Sequence, residues 1–187
     1  MTTSDPLHVM GISGSLRKGS YNTALLRAAA EVMPPGMTLE ILDLLPLPMF
    51  NPDNEKPFPE VVVEFRTRLA QANALLIATP EYNSSISGAL KNAIDWASRP
   101  PRQPFNGKPV AIMGVSTGNF GTLRAQLHLR QILTHVGALP LGKPEVLVAR
   151  AEQVFDPAGN LTDAVARGFL RDLLAALAKW TQRVSPA

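Results

Sequence analysis

The sequence predicts a doubly wound α/β domain, a parallel sheet covered by helices on both faces. Three observations carry that expectation. Short apolar runs alternate with helix-period segments five times along the chain, the pattern that parallel strands and their crossovers require. Those runs are continuous, as in strands buried on both sides. No repeat, low-complexity tract or long linker interrupts the 187 residues, so 1–187 is expected to be one domain, large enough for a substantial core.

Each element has its own signal. LHVMGIS (7–13) is a buried strand closing on Gly and Ser. Leu25, Ala29, Val32 and Met33 then recur at helical spacing until Pro34-Pro35-Gly36 stops the helix. TLEILDL (38–44) reads as the second strand. The five prolines of 45–59 mark a surface loop. Pro59 opens a helix with Val62, Phe65 and Leu69 on one face. ALLIATP (74–80) is the third strand, followed by a helix bearing Ile86, Leu90 and Ile94 that ends near Arg99-Pro100-Pro101. PVAIMGVST (109–117) is the fourth strand, and Leu129, Ile132, Leu133 and Val136 mark a helix ending at Gly137. EVLVAR (145–150) is expected as the fifth strand, and a last helix sets Val165, Phe169, Leu173 and Leu177 in one row.

Composition narrows the function classes. There are no cysteines, which removes disulfides, thiolate metal sites and thiol nucleophiles; no metal site is expected. The start, MTTSDPLH, lacks the charged and apolar regions of a signal peptide, and no apolar run approaches the ~20 residues of a membrane span. A cytoplasmic protein without membrane contact is the expectation. Net charge is +3, and the basic residues are spread without blocks or aromatic interleaving, so no nucleic-acid partner is expected. His8, His128 and His135 lie outside the loops that carry the argument below, and structural or surface roles are expected for them.

In a doubly wound sheet, ligands bind beyond the carboxyl ends of the strands, and three of those ends are unusual. The first, GISGSLRKGSYN (11–22), fails the dinucleotide fingerprint at Ser13 and the P-loop at Ser20, where lysine belongs. What remains is a set of hydroxyls, Ser13, Ser15 and Ser20, with Thr23, Asn22 and Arg17 nearby. With backbone N–H groups at a helix start, these suit a phosphate monoester without metal; Ser20 also suits an ordinary N-cap. The second, TPEYNSSISGALKNAIDW (79–96), puts Pro80 and Tyr82 beside Asn83 and two serines, a flat surface with donors at its edge that suits a planar heterocycle. It also reads as a plain turn followed by a serine cap. Lys91 and Asp95 at i and i+4 read as a surface pair, and Trp96 as core or interface. The third, VSTGNFGTLRAQ (115–126), carries Ser116, Thr117, Gly118 and Gly121, where backbone N–H groups can face a ligand closely. These three ends are adjacent if the strand order is 2-1-3-4-5, the flavodoxin-like order with its ligand between strands one and three.

The blocks GISGSLRKGSYN, TPEYNSSISGALKNAIDWASRP and STGNFGTLRAQLHLRQIL resemble the NADPH-dependent FMN reductases, a family that includes bacterial chromate and quinone reductases and flavin-dependent azoreductases. The similarity runs from about Leu7 to Val148. It implies a flavodoxin-like three-layer sandwich with a five-stranded parallel sheet, bound FMN, and NADPH or NADH as co-substrate. Hydride would pass through flavin N5 to a small-molecule acceptor such as a quinone, with azo compounds, chromate and free flavin as further acceptors. By motif position, Ser15, Arg17, Ser20 and Asn22 would hold the phosphate with Tyr21 alongside. Pro80, Glu81, Tyr82, Asn83 and Ser84 would line the ribityl chain and ring, and Ser116 and Gly118 would border the ring opposite. Backbone N–H groups of the 116–119 turn, at a helix start, would stabilise charge near N1 and O2. Arg17, Arg99 and Arg102 are the candidates for a nucleotide 2′-phosphate. A homodimer or homotetramer is implied. Ser87 stands where many relatives have proline, implying a less rigid helix start. Leu127 stands where many have tyrosine, a difference bearing on tetramer contacts. A flavodoxin-type electron carrier is the competing reading, but such carriers are acidic and this chain is basic.

Overall fold

The computed structural model describes residues 6–185. Six strands, β1 (Leu7–Ser13), β2 (Met37–Leu42), β3 (Ala74–Ala78), β4 (Pro109–Val115), β5 (Leu139–Pro140) and β6 (Val146–Val148), form one parallel sheet in the order β2-β1-β3-β4-β5, with β6 also on β4. The helices are α1 (Tyr21–Glu31), α2 (Glu60–Gln71), α3 (Gly88–Ala97), α4 (Leu123–His135), the single turn α5 (Ala151–Val154) and α6 (Ala164–Val184). This is the flavodoxin-like α/β arrangement in three layers.

Register explains the layers. Val9 pairs with Leu39 and Ala74, Gly11 with Leu76, and Ile77 with Ile112, so successive residues of β1, β3 and β4 turn to opposite faces. Val9, Leu76, Ala78, Ala111 and Met113 pack under α1 and α6. Met10, Ile12, Leu75, Ile77, Val110 and Ile112 pack under α2, α3 and α4. Every residue of β3 and β4 is buried, which is why those runs read as continuously apolar.

Two expectations change in detail. The expected fifth strand, 145–150, shortens to β6, which pairs with Met113 to Val115 at the end of β4, and an unexpected two-residue β5 pairs with Pro109 and Val110 at its start. The intervening LGKPE carries a glycine and a proline, which cannot sustain a ladder. In α6 the expected apolar row is only half buried, with Val165 63% and Phe169 49% exposed. Each i+4 step overshoots a helical turn by about 40°, so a row begun at exposed Val165 drifts onto the buried face, with Ala166, Leu170 and Leu174, only by Leu173 and Leu177.

The proline-rich loop lies across α3 rather than free of it. Its Pro48 carbonyl accepts from Asn92 Nδ2 at 2.9 Å and Trp96 Nε1 at 2.8 Å, and Phe50 meets the buried Trp96 edge-on at 5.0 Å. Buried Arg66 caps the far end of α3, donating to the Trp96 and Arg99 carbonyls at 2.6 Å each and to Arg102 O. Burial lowers its guanidinium pKa. Lys108 does the same for α2 by donating to Ala70 and Ala72 carbonyls, and burial lowers its ammonium too. Among the described residues no helix is long and apolar enough to cross a membrane.

Candidate functional site

Three loops converge because β1, β3 and β4 are neighbours. The first starts at Gly14, whose N–H donates to Ala78 O at 2.8 Å. A Cβ here would fall 2.9 Å from Pro80 Cδ, so only glycine lets the first loop lie against the second. Ser87 closes this contact. Its hydroxyl donates to Gly14 O, and its oxygen accepts from Leu90 N at 3.1 Å as the N-cap of α3. The expected looser helix start is therefore replaced by a capped one, because serine supplies the hydrogen bonds that proline lacks.

Beyond Gly14 the loop is rich in donors. Ser20 caps α1 by accepting from Thr23 N at 3.3 Å, and Ser13 Oγ accepts from Thr23 Oγ1 at 2.8 Å and from Ser15 N at 3.3 Å. The N–H groups of Leu16, Lys18, Gly19, Tyr21 and Asn22 have no acceptor among the described residues. Arg17 lies 5.5 Å over the Tyr21 ring, which packs on Phe155 at 5.3 Å. Unpaired amides at a helix start beside a guanidinium and serine hydroxyls are what a phosphate dianion needs. Asn22 contributes differently from its expected role: its side-chain amide is buried and exchanges two 3.0 Å hydrogen bonds with the backbone of Val115. Its side chain ties the first loop to the end of β4, and what it can offer a phosphate is its backbone N–H.

The second loop turns tightly. Tyr82 and Ser85 exchange backbone hydrogen bonds at 2.9 and 3.0 Å around Asn83 and Ser84, with φ of 50° and 62°. Two positive φ angles make this a type I′ turn, and it leaves Tyr82 exposed at the rim. His128 on α4 meets Ser85 Oγ at 3.1 Å, closer to the site than expected; His8 and His135 lie at the start of β1 and the end of α4. The Glu81 carboxylate points away from any ribityl role, accepting from Arg124 N at 2.9 Å, Ala125 N at 3.2 Å and Arg124 Nη1 at 2.9 Å.

The third loop rests on Gly114, where a Cβ would lie 1.9 Å from Thr122 Oγ1. That space admits buried Thr122 at φ 70°, an unusual conformation for a β-branched residue. Thr117, Gly118 and Asn119 keep N–H groups without an acceptor among the described residues, while Ser116 N donates to Val148 O and Gly118 O accepts from Arg150 N. One expectation is corrected here. The turn is not itself a helix start, because α4 begins only at Leu123 and its first amides are taken by Glu81. The donors at 117–119 act as local amides, without an aligned helix dipole.

Arg99 pairs with Glu55 at 2.6 Å and lies 5.6 Å over the Phe50 ring, and the Arg102 carbonyl accepts from Arg66. Lys91 and Asp95 form the expected pair, 2.5 Å apart, and Trp96 is core. Unanticipated were Gly14, Gly114, Arg124 and Phe120. Gly114 had a signal, since a glycine inside a buried strand marks a close backbone approach.

The loops, their order and their acceptor-free N–H groups fit FMN. Comparison with known proteins gives the chain a family. The family model described as NADPH-dependent FMN reductase matches residues 7–153. The chain is 53% identical over 182 residues to an NAD(P)H-dependent FMN reductase of Pseudomonas aeruginosa, covering 97% of this chain and 98% of that protein. It is 38% identical over 177 residues to a 2-hydroxy-1,4-benzoquinone reductase of Burkholderia sp, covering 94% and 97%. The solved structure of FerB, a flavoenzyme NAD(P)H:(acceptor) oxidoreductase from Paracoccus denitrificans, matches with a TM-score of 0.87 at 34% identity, covering 94% and 97%. This chain belongs to the NADPH-dependent FMN reductase family. It is an oxidoreductase with FMN as cofactor and NAD(P)H as co-substrate.

Proposed function

We propose that this chain acts as a single FMN-binding domain that passes electrons from NAD(P)H to quinone-type acceptors, with azo compounds, chromate and free flavin as further acceptors of the same open site. The observation that carries the reading is the set of acceptor-free N–H groups on the first and third loops, on either side of the turn bearing Tyr82. When bound, FMN supplies hydride acceptance at N5 and hydride return to the acceptor. The chain does the rest. Backbone N–H groups of Leu16, Lys18, Gly19, Tyr21 and Asn22, the hydroxyls of Ser13, Ser15 and Ser20, and Arg17 beside Tyr21 hold the phosphate. Pro80, Tyr82, Asn83 and Ser84, with the backbone of Glu81, line the ring and ribityl chain. Ser116 and the amides of Thr117 and Gly118 meet the ring edge where negative charge develops.

The chain works in the cytoplasm as a homodimer or homotetramer. The quinone acceptor is supported by the name of the Burkholderia relative.

The test is anaerobic spectroscopy of the purified protein. A yellow protein that NADPH bleaches, and whose colour returns with 1,4-benzoquinone, is expected. A yellow protein unchanged by NADPH would make it an electron carrier, and a protein that takes up no FMN would overturn the site.

A further inference from the structure

Glu81 stands beside the exposed residues Tyr82, Asn83 and Ser84, yet its own side chain is only 13% exposed. Both carboxylate oxygens are engaged on α4: Oε2 with the Arg124 and Ala125 amides, Oε1 with the Arg124 guanidinium. The helix needs that partner. Thr122, which precedes it, lies in the left-handed region and gives no side-chain cap, so the first-turn amides would otherwise be unsatisfied. A loop 43 positions earlier supplies what a local cap normally does.

Arg124 extends the connection. Its guanidinium comes within 3.4 Å of Ser84 Oγ and lies 4.9 Å over the ring of Phe120. Phe120 is 60% exposed and follows the polar run Ser116 to Asn119. One carboxylate thus binds both the backbone and the side chain of Arg124, and Arg124 cannot leave the Phe120 ring without breaking its charge-assisted bond to Glu81. An exposed aromatic ring held in place by a cation is an apolar contact surface waiting for a planar partner.

We propose that Glu81 is a positioning residue that acts through Arg124 to hold Phe120 at the mouth of the site, where the ring packs against the aromatic electron acceptor. The inference rests on the FMN reductase reading and adds the acceptor-side contact to it. Glu81 itself touches neither cofactor nor acceptor through its side chain. Gln at this position keeps an acceptor for the helix amides but loses the charge that fixes the guanidinium. Met at Arg124 keeps the capped helix and removes the cation.

The experiment uses the FMN-loaded enzyme and its variants E81Q, R124M, F120A, F120Y and the double variant E81Q/F120A. FMN affinity is measured by fluorescence, reduction by NADPH in stopped flow, and the quinone KM with 1,4-benzoquinone. E81Q, R124M and F120A should each raise the quinone KM about fivefold, and FMN affinity should fall by less than KM rises. F120Y, which keeps the ring, should restore KM, and the double variant should be no worse than F120A alone. An unchanged KM in F120A or R124M would overturn the proposal. So would losses that multiply in the double variant, or a loss of FMN affinity as large as the KM effect, which would make Glu81 a purely structural cap. Failure of the unsubstituted enzyme to bind FMN or to be reduced by NADPH would instead overturn the site reading, and is visible before any variant is made.

Discussion

At the scale of single residues, the side-chain amide of Asn22 joins the start of α1 to the end of β4 through two hydrogen bonds with Val115, and so sets how far apart the first and third loops stand. Asn22→Leu keeps the volume but strands a buried N–H and carbonyl. It should cost about 3 kcal/mol, read as a lower urea midpoint; a loss below about 1 kcal/mol would mean that water takes over the amide's role. Gly14 works by absence. Its missing Cβ leaves room for Pro80 and Leu90, so Gly14→Ala should push the first loop outward, destabilise by about 1–3 kcal/mol and weaken FMN binding. Calorimetry showing wild-type affinity in G14A would separate that contact from the site. Both residues were visible in the sequence, but only as members of a loop. Asn22 looked like a ligand because nothing local reveals a partner 93 positions away.

At the scale of elements, the turn after β3 holds serine in a place that favours glycine. With Ser84 at φ 62° in a type I′ turn, Ser84→Gly should relieve strain and raise stability by about 0.5–1 kcal/mol, measured by thermal unfolding. A lower midpoint would show that the Ser84 hydroxyl matters more than its backbone. The open edge of the sheet carries a charge network. Glu40 on β2 accepts from Arg68 on α2 and lies 3.0 Å from His8 on β1. The hydrogen bond from Arg68 is the main cause of a carboxyl held below the usual glutamate value, aided by the Arg68 charge and by His8, with burial opposing. The folded value thus lies below the unfolded one near 4.5, so the stabilisation is full above that pH and is lost as pH falls through the folded value. With Glu40 44% exposed, it amounts to less than about 1 kcal/mol. Glu40→Gln should therefore be slightly less stable than wild type near neutral pH and converge with it once the pH has fallen below the folded value. Urea titrations in which the gap persists in acid would rule the ion pair out as its source. The strands most buried in the fold, β3 and β4, were the most legible, because a run apolar on both faces leaves one reading. The short strands β5 and β6 were less so: two- and three-residue strands carry too few side chains to set a period, and only pairing with β4 defines them.

At the scale of the whole molecule, strand order turns three ordinary loops into one site. Each loop alone reads equally as a capped turn, and Ser20 and Ser87 do cap their helices. The sheet order sets their carboxyl ends side by side, and the links Gly14–Ser87, Asn22–Val115 and Glu81–Arg124 bind loop to loop. Those links were hidden in the sequence because each joins residues 40 or more positions apart in the chain, whereas the serines and Arg17 proposed to hold the phosphate stand together in one local stretch. The central claim is that the first loop is a phosphate cradle that selects FMN. Isothermal titration of the apoprotein with FMN and with riboflavin tests it most directly, since the two ligands differ only in the phosphate. The phosphate should be worth at least about 3 kcal/mol through its amides and Arg17, so FMN should bind ~100-fold or more tighter than riboflavin. Equal affinities would contradict the account and move the phosphate away from residues 13–22.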